Sequence, residues 1–418
     1  MVPLATRKRM LFLSPVFPSE GGNGLAMRTG FLLDAYSRHF EIDLAVVPVA
    51  GTNTQPTSFV QTRTLRTRIL EPQLNTHFRL LSGLHDFHAR LEAFREYGQP
   101  SLAAALTEAV GEALNTWIGN KTYSLVHVSR LYLAPLAGLL RQHIGRARFI
   151  LDCDEDDALT HRSIGAMYRR KGDLLQSAWA MSEASAYDRM AQKLFPQFDS
   201  VLVASNGEAR SLAHKADPGR ITVVPNVAPI VSRARSWRTR ACNPTMLFVG
   251  TLGYAPNADA VMWLTSRVWP RLRIASKNVR LVIAGRDPPD WMVRLGRQPG
   301  IVVAGSVPDV APLYREASLA VVPLRAGGGT RIKLLEAAAW GVPAVSTSFG
   351  ATGLGLRPGV DVVLADSEAG FARACISLLT EPYQAGRIAN NARTRVRRDY
   401  DPGRWAARVG KLALEFLA

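Results

Sequence analysis

Long apolar runs and cysteines are both scarce in this sequence. No run of about 18 uninterrupted apolar residues occurs, so we expect no membrane-spanning helix. The three cysteines, Cys153, Cys242 and Cys375, are spaced neither as metal ligands nor as a disulfide framework. The basic start followed by MLFL matches a secretion signal only in part, because two prolines interrupt it and residues 9–15 are more typical of a buried strand. These features favour a reducing, cytoplasmic compartment.

Acidic residues are too few to balance the basic ones. The chain has 34 acidic against 51 basic side chains, which gives a net charge of +17. Such a surface attracts nucleic acid, an anionic membrane or an anionic ligand, although an arginine-rich codon usage would produce the same excess. No zinc finger, RNA-recognition signature or basic stripe with interleaved aromatic residues occurs. We therefore expect no nucleic-acid partner, while docking on an anionic membrane surface remains an open alternative.

Two common nucleotide-binding motifs are also missing. The Walker pattern G-x-x-x-x-G-K-[ST] is absent, and no G-x-G-x-x-G follows the first apolar run, since GGNG at 21–24 lacks that spacing. These absences disfavour a P-loop nucleotidase and a nicotinamide-dependent oxidoreductase.

Short apolar runs that alternate with helical stretches fill both halves of the chain. The runs are continuous rather than alternating, which is typical of strands buried on both faces of a parallel sheet. Strands that alternate with helices predict an α/β fold built from doubly wound, Rossmann-like domains. The predicted strands are 9–15, 41–49, 123–128, 148–153, 200–205 and 221–227 in the first half, and 245–250, 279–285, 301–305, 319–324, 343–347 and 362–365 in the second.

The length and one polar stretch predict two domains. A chain of 418 residues is long for a single core. The arginine-rich stretch at 232–245 is typical of a linker, so we place an N-terminal domain at 1–235 and a C-terminal domain at 236–400, with a closing helix at 401–418. Two such domains would leave a cleft between the carboxyl ends of their strands, where sheets of this kind bind ligands.

Three consecutive glycines directly follow the strand predicted at 319–324. Glycine has no Cβ, so successive backbone N–H groups can approach an anion closely. A helix predicted to begin near Arg331 adds a positive partial charge at the same place. The segment therefore predicts a phosphate-binding loop, formed by Gly327, Gly328, Gly329 and Thr330.

A single acidic residue, Glu336, lies among small and apolar residues of that helix. A carboxylate at this position can accept two hydrogen bonds from a cis-diol such as the 2′,3′-hydroxyl pair of a ribose. Lys333, with Arg325 or Arg331, would neutralise a diphosphate. The alternatives are a solvated helix glutamate and ordinary surface cations.

These blocks together resemble the donor domain of glycosyltransferase family 4, the retaining GT-B enzymes of glycosyl transferases group 1. The resemblance is carried by LFVGTLGYAPNADAVMWL, LVIAGRDPP and the long segment from VVAGSVPDV to SFGATGL, and it is strong over 245–380. A weaker likeness covers the first half, where SEGGNGLAMRTGFLL resembles the glycine-rich loop and first helix of the acceptor domain. The resemblance implies a GT-B fold, with two Rossmann-like domains that face a central cleft.

The resemblance also implies roles for individual residues. Glu336 matches the glutamate that holds the donor ribose, and Gly327 to Thr330 match the loop that faces the diphosphate and sugar. Two further turns match the lining of the donor site, and their residues are Gly250, Thr251, Gly285 and Arg286. One loop matches the acceptor-domain loop that approaches the phosphates, and its residues are Gly21, Gly22, Asn23 and Gly24.

Two departures from the family pattern concern charge. The family often has a second glutamate eight positions before Glu336, where this chain has Gly328, and it often has a basic pair after the FVG strand, where this chain has TLGYAPN. Neutralisation of the diphosphate must then come from elsewhere, and we assign it to Arg325 with Lys333.

Three residues of the first half are candidates for catalysis. His127 is predicted at the end of a strand that points towards the cleft, which resembles the position of a family histidine near the transferred sugar. Asp152 and Asp154 follow or end a buried strand and are predicted at the cleft edge, while Asp156 and Asp157 begin a helix. A structural role for His127 remains an alternative. For the acidic group, acceptor contact, helix capping and a metal site all remain open.

The resemblance implies transfer of a sugar from a nucleoside diphosphate sugar to an acceptor hydroxyl, with retention. GT-B enzymes usually work without a divalent metal, so we expect no cofactor. The expected partners are a nucleotide sugar and a glycan or lipid-linked acceptor for surface polysaccharide or glycolipid synthesis, in the cytoplasm or peripherally on the inner membrane face. A GT-B sugar-nucleotide epimerase and a non-catalytic scaffold that binds sugar nucleotides or polysaccharide are the alternatives.

Overall fold

The computed structural model describes residues 7–50, 55–229, 231 and 243–417. The chain divides into two compact units, one of Met1–Pro225 with Gly403–Ala418 and the other of Asn226–Pro402. It therefore passes between the units twice, and most of the segment predicted as a closing helix belongs to the first unit. Cys242 and most of the predicted linker lie outside the described residues.

The first unit is built on a parallel sheet. All five residues of its fourth strand are buried, which explains why the apolar runs are continuous. The strands are β1 (Lys8–Ser14), β2 (Phe40–Val46), β3 (Arg66–Ile69), β4 (Leu125–Ser129), β5 (Arg148–Asp154), β6 (Ser200–Val203) and β7 (Ile221–Val223). Their order in the sheet is β3-β2-β1-β4-β5-β6-β7, and every pairing is parallel.

The edge strand β3 was not among the predicted strands, because its sequence RTRI is half arginine. The structure shows why arginine is tolerated there. Arg66 donates to Asp43 on the neighbouring β2 (Nε to Oδ1, 3.1 Å), and its guanidinium lies 4.5 Å from the ring centroid of Trp117. Charge pairing and stacking thus replace the apolar contacts that identify the other strands.

Helices cover this sheet, and several begin at a side chain that caps them. Asn23, Asp86, Asp156, Asp173 and Ser205 each accept a hydrogen bond from a backbone N–H of the first turn. The helices are α1 (Gly24–Ser37), α2 (Ser58–Gln61), α3 (Thr76–Ser82), α4 (Phe87–Tyr97), α5 (Glu108–Ile118), α6 (Pro135–Ile144), α7 (Asp157–Arg170), α8 (Leu174–Leu194) and α9 (Asn206–Leu212).

The second unit repeats the design with six parallel strands. They are β8 (Thr245–Val249), β9 (Arg280–Ala284), β10 (Ile301–Gly305), β11 (Leu319–Val322), β12 (Ala344–Ser346) and β13 (Val363–Leu364), in the order β10-β9-β8-β11-β12-β13. The helices are α10 (Ala255–Trp263), α11 (Trp269–Ala275), α12 (Asp290–Leu295), α13 (Ala311–Glu316), α14 (Ile332–Ala339), α15 (Glu368–Thr380) and α16 (Pro382–Asp399). All six strands predicted for this half are present.

The last helix, α17 (Pro402–Glu415), returns to the first unit. Its buried residues Ala406, Val409 and Ala413 join the apolar cluster around β1 and β2. Gly410 lets the His39 side chain pack closely on α17, because a Cβ there would lie 2.3 Å from Nε2 of His39 and the imidazole would have to move. Among the described residues, no helix has the combination of length and hydropathy needed to cross a bilayer.

Both sheets reverse their strand order beside the first strand of the unit. The reversal lies between β1 and β4 in the first unit and between β8 and β11 in the second. Open parallel sheets bind ligands outside the carboxyl ends of the strands at such a reversal. The residues that follow these four strands are therefore the place to look for a site.

Candidate functional site

The turns after β8 and β9 meet so closely that glycine is obligatory. Gly250 donates its N–H to the carbonyl of Ala284 (3.0 Å), and Leu252 donates to the carbonyl of Arg286 (2.7 Å). Gly285 has φ +151°, and a Cβ on it would lie 1.6 Å from the carbonyl oxygen of Gly250. This approach fixes the turn that contains Gly250 and Thr251 beside the reversal in strand order.

Arg331 stabilises the glycine-rich loop after β11 by hydrogen bonds to its backbone. The backbone has positive φ at Gly327 (+107°) and Gly329 (+69°), as only glycine adopts readily. Arg331 is buried and donates to the carbonyls of Gly328 and Gly329. Its charge therefore stabilises the loop itself. The hydroxyl oxygen of Thr330 is buried and, among the described residues, has no hydrogen-bond partner.

Lys333 lies in the first turn of α14 and connects this loop to the β8 turn. Its Nζ donates to Oδ1 of Asn257 (2.8 Å) and lies 4.7 Å from the ring centroid of Phe248. Asn257 donates in turn to the carbonyl of Thr251 (2.9 Å). Burial lowers the pKa of Lys333 to about 7, and the charge of Arg331 acts in the same direction. The structure thus holds an amine close to Gly250 in a setting that an anion would stabilise.

Glu336 lies one turn further along α14 and is half-buried. Its Oε2 accepts a hydrogen bond from the hydroxyl of Tyr314 on α13 (3.0 Å). Burial raises the pKa of Glu336 to about 7, although Tyr314 and Lys333 oppose the shift. A carboxylate in this state has acceptor capacity left for hydroxyl groups of a ligand.

Arg325, which the sequence assigned to the diphosphate, is already held by another side chain. Its guanidinium forms a bidentate ion pair with Asp259, which is 1% exposed, with N–O distances of 2.9 Å. It also lies 5.5 Å from the ring centroid of Trp263. The positive charge of Arg325 is therefore already paired, which leaves Lys333 as the cation nearer to the Gly250 turn.

The glycine-rich loop of the first unit precedes α1 at the other reversal in strand order. Gly21 and Gly22 are exposed, and a Cβ on either would meet nothing within 4 Å. Asn23 caps α1 by accepting from the N–H of Ala26 (2.8 Å), and Gly24 is the first helical residue. The loop is therefore anchored at its helical end and open at its tip.

His127 and Asp152 are buried within the first unit, not exposed at a strand end. His127 is the third of five residues in β4, is fully buried and stacks on Phe12 with ring centroids 4.3 Å apart. Asp152 is likewise fully buried and pairs with Arg28 of α1, with Nη2 to Oδ1 at 2.6 Å. Burial lowers the pKa of His127 to about 4, against the opposing charge of Asp152. Both residues can act on a ligand only through their neighbours.

Asp154 ends β5, one residue beyond the predicted strand, in a strained position. Its φ is +59°, and that of Arg130, which follows β4, is +74°. Arg130 donates to Glu155 (2.8 Å) and to Asp157, so one guanidinium serves several carboxylates. Burial raises the pKa of Asp157 to about 7. Among the described residues, no three His, Cys, Asp or Glu side chains are grouped as metal ligands.

Comparison with known proteins identifies the family that the second unit resembles. The family model for Glycosyl transferases group 1 matches residues 243–381, which include the β8 and β9 turns, the glycine-rich loop and Glu336. The second unit carries a group 1 glycosyl transferase domain. The protein is a glycosyltransferase.

A curated relative and two solved structures extend this likeness over more of the glycosyltransferase. An uncharacterized 44.6 kDa protein in the cps region of Klebsiella pneumoniae is 22% identical over 290 residues, 68% of this chain and 72% of that protein. Sucrose-phosphate synthase from Thermosynechococcus elongatus is similar in structure, with a TM-score of 0.67 at 16% identity over 98% of this chain and 99% of that one. Anabaena HepE in complex with UDP-glucose is also similar in structure, with a TM-score of 0.63 at 12% identity over 98% of this chain and 100% of that one. The fold is GT-B.

Several residues of the glycosyltransferase's sites could not be found by sequence reasoning. Asn257, Tyr314 and Asp259 each bind a predicted residue, yet they are 22 to 76 positions away from their partners. Each left only an indirect trace, because Asn257 and Asp259 lie in GYAPNADA and Tyr314 lies in the long segment that also carries the family resemblance. Arg28 also left one, as a lone basic residue in the apolar stretch that forms α1.

Proposed function

We propose that this glycosyltransferase moves a sugar from a nucleoside diphosphate sugar to an acceptor hydroxyl, with retention and without a divalent metal. The observation that carries the proposal is the pairing of Glu336 with Tyr314 one helical turn from the pairing of Lys333 with Asn257. One pair presents a carboxylate and the other an amine, beside the turns at the carboxyl ends of β8 and β11. A ribose linked to a diphosphate has the complementary groups in the same order.

Glu336 binds the ribose in this proposal. A cis-diol donates two hydrogen bonds, and the Glu336 carboxylate has an oxygen besides the one that accepts from Tyr314. Hydrogen bonds to the charged carboxylate favour ionisation, so the ribose would lower a pKa that burial holds at about 7. Tyr314 fixes the carboxylate in place before the ligand arrives.

Lys333, Thr330 and the backbone of Gly327 to Gly329 bind the diphosphate. An anion beside Lys333 would raise the pKa of the amine above its ligand-free value of about 7. The N-terminus of α14 adds its partial positive charge, and the buried hydroxyl of Thr330 supplies a further donor. The Gly250–Thr251 and Gly285–Arg286 turns form the facing wall.

The chemistry then depends on stabilising the departing diphosphate. The bond between the anomeric carbon and the diphosphate oxygen breaks, and the electron pair leaves with that oxygen. Lys333 and the backbone amides stabilise the charge electrostatically. The leaving oxygen accepts the proton of the acceptor hydroxyl, which attacks the same face, so no separate nucleophile is required.

The first unit binds the acceptor in this proposal. Its open glycine loop at 21–24 is assigned to the acceptor side of the reaction. Asp154 is 8% exposed, whereas His127 and Asp152 are fully buried. We therefore assign Asp154 to contact with the acceptor or transferred sugar, and we assign His127 and Asp152 to positioning, through the ion pair between Asp152 and Arg28.

The acceptor is proposed to be a growing surface polysaccharide or a glycolipid. The relative from the cps region of Klebsiella pneumoniae supports a role in polysaccharide synthesis. The complex of Anabaena HepE with UDP-glucose supports a UDP-sugar as one donor class to test. A lipid-linked acceptor would place the enzyme peripherally on the inner face of the membrane, in keeping with the net charge of +17.

The proposal is tested by a double cycle on the ribose contact. Binding of UDP, GDP and ADP is measured by calorimetry, and the tightest nucleotide is compared with its 2′,3′-dideoxy form on the wild type and on Glu336→Gln. If Glu336 binds the diol, each change alone weakens binding roughly tenfold to a hundredfold, and the two together cost no more than one. Additive losses would place the ribose elsewhere.

A panel of UDP-, GDP- and ADP-sugars then tests turnover. Release of the nucleoside diphosphate by the wild type, and its loss in Lys333→Gln, is the expected result. Tight nucleotide binding with no turnover of any donor would contradict the transfer reaction and favour the scaffold alternative.

A further inference from the structure

A cavity of about 200 Å³ lies on the first unit, away from the sites described above. It is formed by α3, the start of α4 and the start of α8. Aromatic and apolar side chains dominate the lining, which consists of Phe78, Leu81, Ser82, Phe87, Arg90, Gln176 and Trp179. Stacking of Trp179 on Phe94 (ring centroids 4.4 Å apart) holds one wall in place.

Exposed leucines lie next in sequence to the residues that line this cavity. Leu80 on α3 is 70% exposed and Leu174 at the start of α8 is 65% exposed, and their neighbours Leu84 and Leu175 are each 39% exposed. Exposed leucines that occur singly are unremarkable, but four of them beside an apolar cavity mark a surface that is covered in use.

Basic side chains flank the same leucines. The segments 78–90 and 169–179 contain five basic and two acidic residues. Arg169, Arg170 and Lys171 are exposed, and two residues separate them from the leucine pair of α8. The two acidic residues, Asp86 and Asp173, are helix caps that accept backbone N–H groups, so their charges serve the helix ends. We define the docking surface as the exposed side chains of 78–90 and 169–175.

We propose that this docking surface binds a lipid bilayer that contains anionic lipids, with Leu80 and Leu174 inserted among the acyl chains. An apolar centre beside Arg and Lys is the composition of surfaces that lie in the headgroup region. The core of a protein interface is instead depleted of lysine, so Lys171 beside the leucines favours the bilayer. The cavity would take part of one acyl chain, with Arg90, which lies 5.0 Å from the ring centroid of Phe87, at its rim.

The inference rests on the proposed lipid-linked acceptor for its biological purpose, but its test needs no catalysis. The full-length protein is sedimented with vesicles of phosphatidylcholine alone or mixed with phosphatidylglycerol. Two variants change the docking surface, Leu80→Gln/Leu174→Gln and Arg169→Gln/Arg170→Gln/Lys171→Gln. Two matched controls change the second unit, Ile274→Gln, at a residue that is 85% exposed, and Lys277→Gln/Arg294→Gln/Arg297→Gln.

The wild type and both controls are expected to bind the anionic vesicles and to leave neutral vesicles largely free. Loss of the three basic charges should lower the partition coefficient roughly a hundredfold, and loss of the two leucines roughly tenfold. Because all of these side chains are exposed, the melting temperatures should stay close to that of the wild type.

Three results would overturn the inference. The first is absence of wild-type binding to anionic vesicles, and the second is an equal loss of binding in the controls and the docking-surface variants. The third is a concentration-dependent dimer that Leu80→Gln/Leu174→Gln abolishes, because it would assign the surface to a second copy of the chain. Donor turnover without vesicles is measured in parallel. If it is absent while vesicle binding holds, only the proposed reaction fails.

Discussion

Two ionisable side chains of α14 are poised at the same pKa from opposite directions. Burial raises the pKa of Glu336 to about 7 and lowers that of Lys333 to about 7. The two residues are three positions apart on one helix, so each feels the charge of the other. Perturbed groups of this kind cluster at functional sites, because a ligand supplies what the empty site lacks.

Donor binding should therefore have an optimum near pH 7. The bound state requires protonated Lys333, so affinity falls as pH rises above 7. It also requires ionised Glu336, so affinity falls as pH drops below 7, each limb approaching roughly tenfold per pH unit. A nucleoside diphosphate sugar is titrated calorimetrically between pH 5.5 and 8.5. Lys333→Gln should lose the alkaline limb and Glu336→Gln the acidic limb. A wild-type affinity that rises steadily across the range would contradict both assignments.

The residues of this site differ in how far the sequence could predict them. Glu336 and Lys333 stand in one short segment whose glycines and helix start are local features, and the sequence predicted both as ligand-binding. The ion pair of Arg325 with Asp259 joins residues 66 positions apart, so nothing local revealed that the charge of Arg325 was already paired. The strand-centre position and burial of His127 depended on where β4 ends, and strand ends are among the features that periodicity fixes least well.

At the scale of elements, the proposed site of the second unit depends on how closely the turns after β8 and β9 approach each other. Continuous apolar runs predicted all six of its strands, because a parallel sheet covered on both faces requires them. The same rule failed for β3, which is an edge strand stabilised by arginine pairing and stacking. The glycines of the turns were predicted as site residues, but the reason for Gly285 is visible only in three dimensions.

Gly285→Ala should weaken donor binding by displacing the turns after β8 and β9. The new Cβ would lie 1.6 Å from the Gly250 carbonyl, so the two turns must separate, and the Gly250–Thr251 wall moves with them. We expect the Kd for the nucleotide to rise at least roughly tenfold, measured by calorimetry. Gly207→Ala is the matched control, because the nearest side-chain atom to its Cβ is at 3.4 Å in a helix of the first unit. Equal binding by both variants would contradict the packing argument.

At the scale of the whole molecule, the first unit is built from two segments that are far apart in the sequence. The C-terminal α17 completes the apolar cluster that β1 and β2 begin, although some 360 positions separate them in sequence. The sequence predicted a helix here from its apolar spacing. It gave no indication of the partner, because amphipathic spacing specifies that one face is buried but not what covers it.

Val409→Asp should therefore weaken the first unit and spare the second. Val409 is 1% exposed in the cluster with β1 and β2, so a carboxylate at this position would be buried among apolar side chains. Hydrogen exchange should show faster exchange in β1 and β2, by at least roughly tenfold, and unchanged exchange in β8 and β11. Lys411→Asp, on the exposed part of the same helix, is the control. Equal acceleration in both units would show that they unfold together.

The return of α17 also has a consequence for synthesis on the ribosome. Residues 8–223 emerge before the second unit, yet the cluster over β1 and β2 stays incomplete until residues 403–418 leave the exit tunnel. The second unit, whose residues are continuous in sequence, has all of its parts before then. The nascent protein would thus finish its second unit before its first, the reverse of the order in which the two begin to be translated.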